Sequence, residues 1–263
     1  MPFLPYLAAV AYLVSAVLGV RAVAGGEGRL PPVATALAVV AVVLHATDHL
    51  LVWPRAHGAD LHFFSALSLV GLGMAALSTA LARLRNLDAL GVIIYPLAAV
   101  MLLLYHHFGH GRELELDWRL LLHAWLALLA YATLAIAALL AILLWLQERA
   151  LRRRRFGPWL RALPPLTQTE TLLFDTLGVG FALLSATLLT GALFVHDLFS
   201  QHLWHKTVLS VLSWIVFGVL LVGRWRYGWR GAKAVRLTLL AMALLLLAFF
   251  GSKFVQELVL AQA

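Results

Sequence analysis

Eight stretches of the chain are apolar over the length a helix needs to cross a bilayer, and this restricts the fold more than any other property. An α-helix rises about 1.5 Å per residue, so about 20 residues traverse the ~30 Å hydrocarbon core. The stretches lie at 3–24, 32–53, 62–82, 88–107, 120–146, 171–195, 205–223 and 234–259, with ends assigned to about three residues. A chain of 263 residues that is 63% hydrophobic and 12% charged is an integral membrane protein. The expected fold is all-α and polytopic, with an N-terminal four-span segment, 1–119, and a C-terminal four-span segment, 120–263.

The connections are mostly about a dozen residues or fewer, and the longest, 147–170, is dominated by arginine. A binding site must therefore lie among the helix ends. The formal charge of +8 does not point to nucleic acid, because in a membrane protein the placement of charge matters more than its sum. The expected surroundings are membrane lipid. Cysteine is absent, which excludes thiolate metal sites and disulfides. Arg21 follows the first apolar run rather than preceding it, so that run is expected to be a retained span, although Ala22-Val23-Ala24 resembles a signal-peptidase site.

Alternate loops differ sharply in lysine and arginine. One set carries Arg21, Arg29, Arg83, Arg85, Arg149, Arg152, Arg153, Arg154, Arg155, Arg161, Arg224, Arg226, Arg230 and Lys233; the other carries Arg55, Arg112, Arg119 and Lys206. The positive-inside rule then predicts both termini outside the cytoplasm. All eleven histidines, His45, His49, His57, His62, His106, His107, His110, His123, His196, His202 and His205, fall toward the outer side in that topology. The run Arg152-Arg153-Arg154-Arg155 is a topology anchor that also suits anionic lipid.

Ionisable groups inside an apolar helix are costly and mark functional candidates. Leu44-His45-Ala46-Thr47-Asp48-His49 places three in the second span, with His45 and His49 on one face and Asp48 one turn from His45. If the span ends early, Asp48 and His49 lie among headgroups and His45 alone is buried. His123 opens the fifth span, and His205, after Trp204, opens the seventh. A neutral imidazole in an apolar setting is a good axial ligand for haem iron. Trp53, Trp118, Trp125 and Trp204, with Arg55, Arg112 and Arg119, lie on the same side, where tryptophan also serves as an interfacial belt. The segment 106–119 adds His106, His107, His110, Glu113, Glu115 and Asp117, types that bind zinc or copper, without a specific spacing. Lys253 and Glu257 stand one turn apart and are expected to pair.

Leu122-His123-Ala124-Trp125 followed by Tyr131, and His205-Lys206-Thr207-Val208-Leu209-Ser210 followed by Trp214, Gly228-Trp229-Arg230-Gly231 and Phe249-Phe250-Gly251, resemble the cytochrome c assembly family, whose members include the CcsA, CcmC and HemX groups. Leu163-Pro164-Pro165-Leu166, Gly223 to Gly231, and Gly251-Ser252-Lys253-Phe254-Val255 resemble most its eight-span inner membrane branch named YpjD. The likeness covers 120–263 well and the first four spans mainly through Leu44-His45.

The resemblance implies a bacterial inner membrane protein of c-type cytochrome biogenesis that handles haem b, with His45, His123 and His205 as iron ligands and Trp204 at the cofactor. Its implied partners are apocytochrome c or other assembly proteins. The family's tryptophan-rich haem-attachment loop is missing, since 195–204 reads VHDLFSQHLW, and no histidine follows the last span. Haem binding or passage is therefore expected rather than covalent attachment, and no catalytic residue is assigned. Two other functions suit the same residues: a zinc or copper transporter, and a cofactor-free membrane partner of another protein.

Overall fold

Every expected span is a helix in the structure, a computed structural model that describes residues 3–25, 30–52, 60–85, 88–109, 117–154, 163–194 and 204–255; of 81–85, 88 and 89 it describes the backbone alone. The helices are α1 (Leu4–Ala24), α2 (Pro32–Val52), α3 (Phe63–Arg85), α4 (Asp88–Phe108), α5 (Trp118–Arg152), α6 (Leu166–Phe194), α7 (Trp204–Tyr227) and α8, which begins as Gly231–Leu246. Eight helices are long and apolar enough to cross a membrane, and no strand occurs among the described residues.

Three helices outrun the spans expected from hydropathy. α5 has 35 residues and continues through Gln147, Glu148, Arg149, Ala150, Leu151 and Arg152, good helix formers of which four are polar or charged. The Arg152 guanidinium meets the Glu148 carboxylate one turn earlier at 3.0 Å. α6 starts at Leu166 rather than 171, and α7 runs on to Tyr227. Hydropathy reports where lipid ends; backbone hydrogen bonding continues wherever propensity allows. The last span is not one regular helix: Leu247–Gly251 is a π segment followed by Ser252–Phe254. The Tyr131 hydroxyl of α5 donates to the Leu245 carbonyl just before this change of register, where a carbonyl in lipid needs a donor.

The chain divides into two compact units, one of residues 1–115 with 147–168, the other of 116–146 with 169–263. In the first, α1 packs on α2 and α4, and α3 packs on α4. α2 buries Ala34, Ala38, Ala41, His45 and His49, a spacing that keeps all five on one face. Lipid offers no hydrophobic gain for helix association, so small residues that let backbones approach provide the contact. Ser15 of α1 donates to the Ala34 carbonyl at 2.8 Å across this seam. The stripe that brings the alanines to the interface carries the two imidazoles in behind them.

In the second unit, α7 packs against α8 through a tight turn. Gly228 (φ 64°) and Gly231 (φ 55°) adopt left-handed values that favour glycine. The Gly228 N–H donates to the Arg224 carbonyl at 3.0 Å, and a Cβ on Gly223 would overlap the Trp229 ring. The buried Glu170 carboxylate receives Arg224 at 3.3 Å and Arg230 at 3.9 Å. Arg224 lies 4.6 Å above the Phe174 ring, and Lys233 lies 3.2 Å above Trp229. Gly223→Val is expected to force Trp229 off this seat and destabilise the protein by about 2 kcal/mol, read as a lower melting temperature in detergent.

Candidate functional site

His123 stands in the second turn of α5 and lines a cavity of about 490 Å³ walled by α5, α6, α7 and α8, within the range of small-molecule sites. Its walls are chiefly apolar, including Ala127, Leu184, Leu188, Val211 and Phe249, with Lys206, Thr207 and Ser210 as polar members from α7. Phe249 belongs to the π segment. Gly191 leaves room for the imidazole: a Cβ there would lie 3.1 Å from His123 Cε1.

The hydrogen bonds around His123 favour one tautomer of its ring. Nδ1 lies 3.1 Å from Thr190 Oγ1. The single hydroxyl proton of Thr190 is already given to the carbonyls of Ala186 and Thr187, at 2.9 and 3.0 Å. A hydroxyl so directed accepts from the ring, which favours the hydrogen on Nδ1. Nε2 then holds the lone pair, on an imidazole that lines the cavity. A histidine that ligates a metal characteristically donates its other ring N–H to a protein acceptor in this way.

The first unit gathers a second polar group. His45 and His49 are 0% and 1% exposed, so His49 is enclosed by protein along with His45. Ser68 Oγ of α3 sits between them, 2.9 Å from His45 Nε2 and 3.0 Å from His49 Nε2. The Tyr12 hydroxyl of α1 lies 3.4 Å from His45 Nδ1. Both nitrogens of His45 are thus engaged by protein. His49 stacks on Tyr105 of α4 at 4.5 Å. Just before α3, His62 donates from Nδ1 to the buried Asp60 carboxylate at 2.6 Å. Near this end of the unit the exposed Tyr6 hydroxyl lies 3.3 Å from His107 Nε2.

Of the remaining candidates, His205 is half-buried on the first turn of α7, next to Lys206, and Trp204 is 54% exposed; neither lines the cavity. Trp118 and Trp125 are exposed on α5, as an interfacial belt requires. Among the described residues no three histidine or acidic side chains come together as metal ligands. His57, His110, His196, His202, Trp53, Arg55, Arg112, Glu113, Glu115 and Glu257 lie outside the described residues. The sequence analysis missed Ser68 and Thr190. Hydroxyls are common in apolar helices, where they bond their own backbone, so neither carries a local signal.

A family profile described as cytochrome c assembly protein matches residues 32–260. The inner membrane protein YpjD of Escherichia coli K12 is 34% identical over 263 residues, covering 98% of this chain and 100% of that protein. Protein HemX of Brevibacillus brevis is 33% identical over 136 residues, 50% of this chain and 49% of its own. The cytochrome c biogenesis protein CcsA of Chlamydomonas reinhardtii is 25% identical over 147 residues, 55% of this chain and 40% of its own. No solved structure matches the chain.

Proposed function

The chain belongs to the cytochrome c assembly protein family, and we propose that it handles haem in c-type cytochrome biogenesis, binding haem b in the cavity beside His123. It is a multi-pass protein of the bacterial inner membrane. The observation that carries the reading is the Thr190 bond to His123 Nδ1, which leaves the Nε2 lone pair on a ring lining an apolar cavity. Haem supplies an iron that accepts an axial imidazole and a macrocycle suited to apolar walls. His123 is the proposed ligand, and the Lys206 ammonium offers the charge that propionates need. His205 is a second proposed ligand, with Trp204 beside it at the cofactor edge. Ligation at His45 would be a separate site within the first unit and requires release of either Tyr12 or Ser68.

With both termini outside the cytoplasm, the cavity opens at the outer end of the second unit, where haem is presented to apocytochrome c or to another assembly protein. The test is to purify the protein from haem-replete cells and record oxidised and reduced spectra beside a pyridine haemochrome assay. A near-stoichiometric Soret band with a haem b haemochrome is the expected result. A clean protein spectrum, even after hemin is added, would overturn the reading.

A further inference from the structure

At the end of the second unit that carries the α7–α8 turn, positive charge is in excess. Arg224, Arg226, Arg230, Lys233 and Arg236 come from α7, the turn and α8, and the acidic side chains that α6 brings are Glu170 and Asp175. Glu170 is already taken by Arg224 and Arg230, and among the described residues Lys233 and Arg236 have no carboxylate partner. Both are exposed. The Lys233 ammonium lies over the Trp229 ring at 3.2 Å, and that ring is itself seated against Gly223, which sets the position of this cation.

Arg236 stands in the second turn of a helix long and apolar enough to cross a membrane, Gly231–Phe254, and an exposed guanidinium there faces lipid. Such a charge is costly unless a counter-ion meets it or its stem carries it to the headgroups. Trp225 and Tyr227, 87% and 72% exposed on the last turn of α7, mark the headgroup level, where such rings collect. α8 returns antiparallel from the same turn, which puts Lys233 near that level and Arg236 about 4.5 Å deeper, a distance an arginine stem spans. Leu240, Ala243 and Leu247 follow Lys233 and Arg236 at steps of three and four residues, so the five share one face. All five are exposed. The face is an apolar track headed by two cations, with the Arg230 side chain, 67% exposed, beside it.

We propose that this face binds an anionic phospholipid, its phosphate between Lys233 and Arg236, Arg230 at the rim, and one acyl chain along Leu240, Ala243 and Leu247. The phosphate supplies the counter-charge that no described carboxylate gives Arg236, and the attached chain suits the track below it. The surplus of cations selects against a zwitterionic headgroup, whose ammonium the same three side chains repel. A cluster that set topology alone would need only its total charge beside the membrane. It would need neither a lysine seated on an indole nor an arginine a turn inside the span. None of these residues lines the cavity beside His123, so lipid binding here does not depend on haem.

The test is native mass spectrometry of the full-length protein in detergent, titrated in parallel with phosphatidylglycerol and phosphatidylethanolamine of the same acyl chains. The wild type should bind the anionic lipid about tenfold more tightly or better, as two cations near a phosphate provide. The double variant Lys233→Gln, Arg236→Gln should lose that preference, and Arg236→Lys should keep it. Equal affinities for the two lipids in the wild type would overturn the proposal. So would a preference unchanged in the glutamine variant, which would move the lipid to another basic cluster such as Arg152-Arg153-Arg154. If the glutamine variant does not fold, the wild type with ¹⁵N-labelled lysine decides the matter in bilayers of both lipids. The Lys233 ammonium, one of three in the chain, should dephase against the phosphatidylglycerol phosphorus, and a Lys233 signal that does not respond sinks the proposal.

Discussion

His123→Ala is expected to remove the Soret band of the purified protein, and Thr190→Val to weaken haem binding by about 10–100-fold while leaving the histidine in place. Thr190 meets the ring through its hydroxyl at Nδ1, beside the ring's hydrogen bond with the Thr187 backbone. Valine keeps the volume and removes the hydroxyl, so the hydrogen is held less firmly at Nδ1 and the tautomer with Nε2 blocked gains population. Thr190→Ser keeps the hydroxyl and should bind haem almost as the wild type does. The tautomer is measurable without haem, by the ¹⁵N spectrum of the His123 ring. Normal haem binding in Thr190→Val would show that the ring is held by other contacts, whereas no haem in the wild type would count against the cavity itself.

Glu170→Ala is expected to have the largest effect on stability among the charged residues. Its side chain is 7% exposed and holds Arg224 and Arg230, which join α6 to both ends of the α7–α8 turn. Removing one partner of a buried pair leaves the other uncompensated, at a cost of about 3–5 kcal/mol. The Arg224 side chain is 24% exposed and keeps the Phe174 ring and the Trp229 carbonyl, so about 2 kcal/mol is the expected loss once solvent screening is included. Arg152→Ala, which breaks the pair with Glu148, is the control: the Arg152 side chain is 73% exposed, and such pairs contribute about 0.2–1 kcal/mol. A clear fall in melting temperature is expected for Glu170→Ala beside a small one for Arg152→Ala. Equal shifts would show that the turn is held by its glycines and Trp229 instead.

Much of the site was readable in the residues themselves. His45 and His123 stand out because each interrupts an apolar helix, and an imidazole there needs a reason. The burial of His49 was not readable. Span ends are uncertain by a few residues near a boundary, and His49 is buried because Ser68 and Tyr105 on other helices cover it. The π segment was hidden for a related reason. Leu247-Ala248-Phe249-Phe250-Gly251 is as apolar as its surroundings, and its register shows only in how its backbone bonds to its own chain.

The sequence by itself determined that this is a bundle of eight membrane helices, where its histidines cluster along the spans and what family it resembles, because hydropathy, charge and short motifs are sums over neighbouring residues. The tertiary structure alone decided which hydroxyls meet the imidazole nitrogens. They are Thr190, 67 residues from His123, and Ser68, 23 residues from His45. A hydroxyl has a single proton to give, and only the packing of distant helices determines which acceptor receives it.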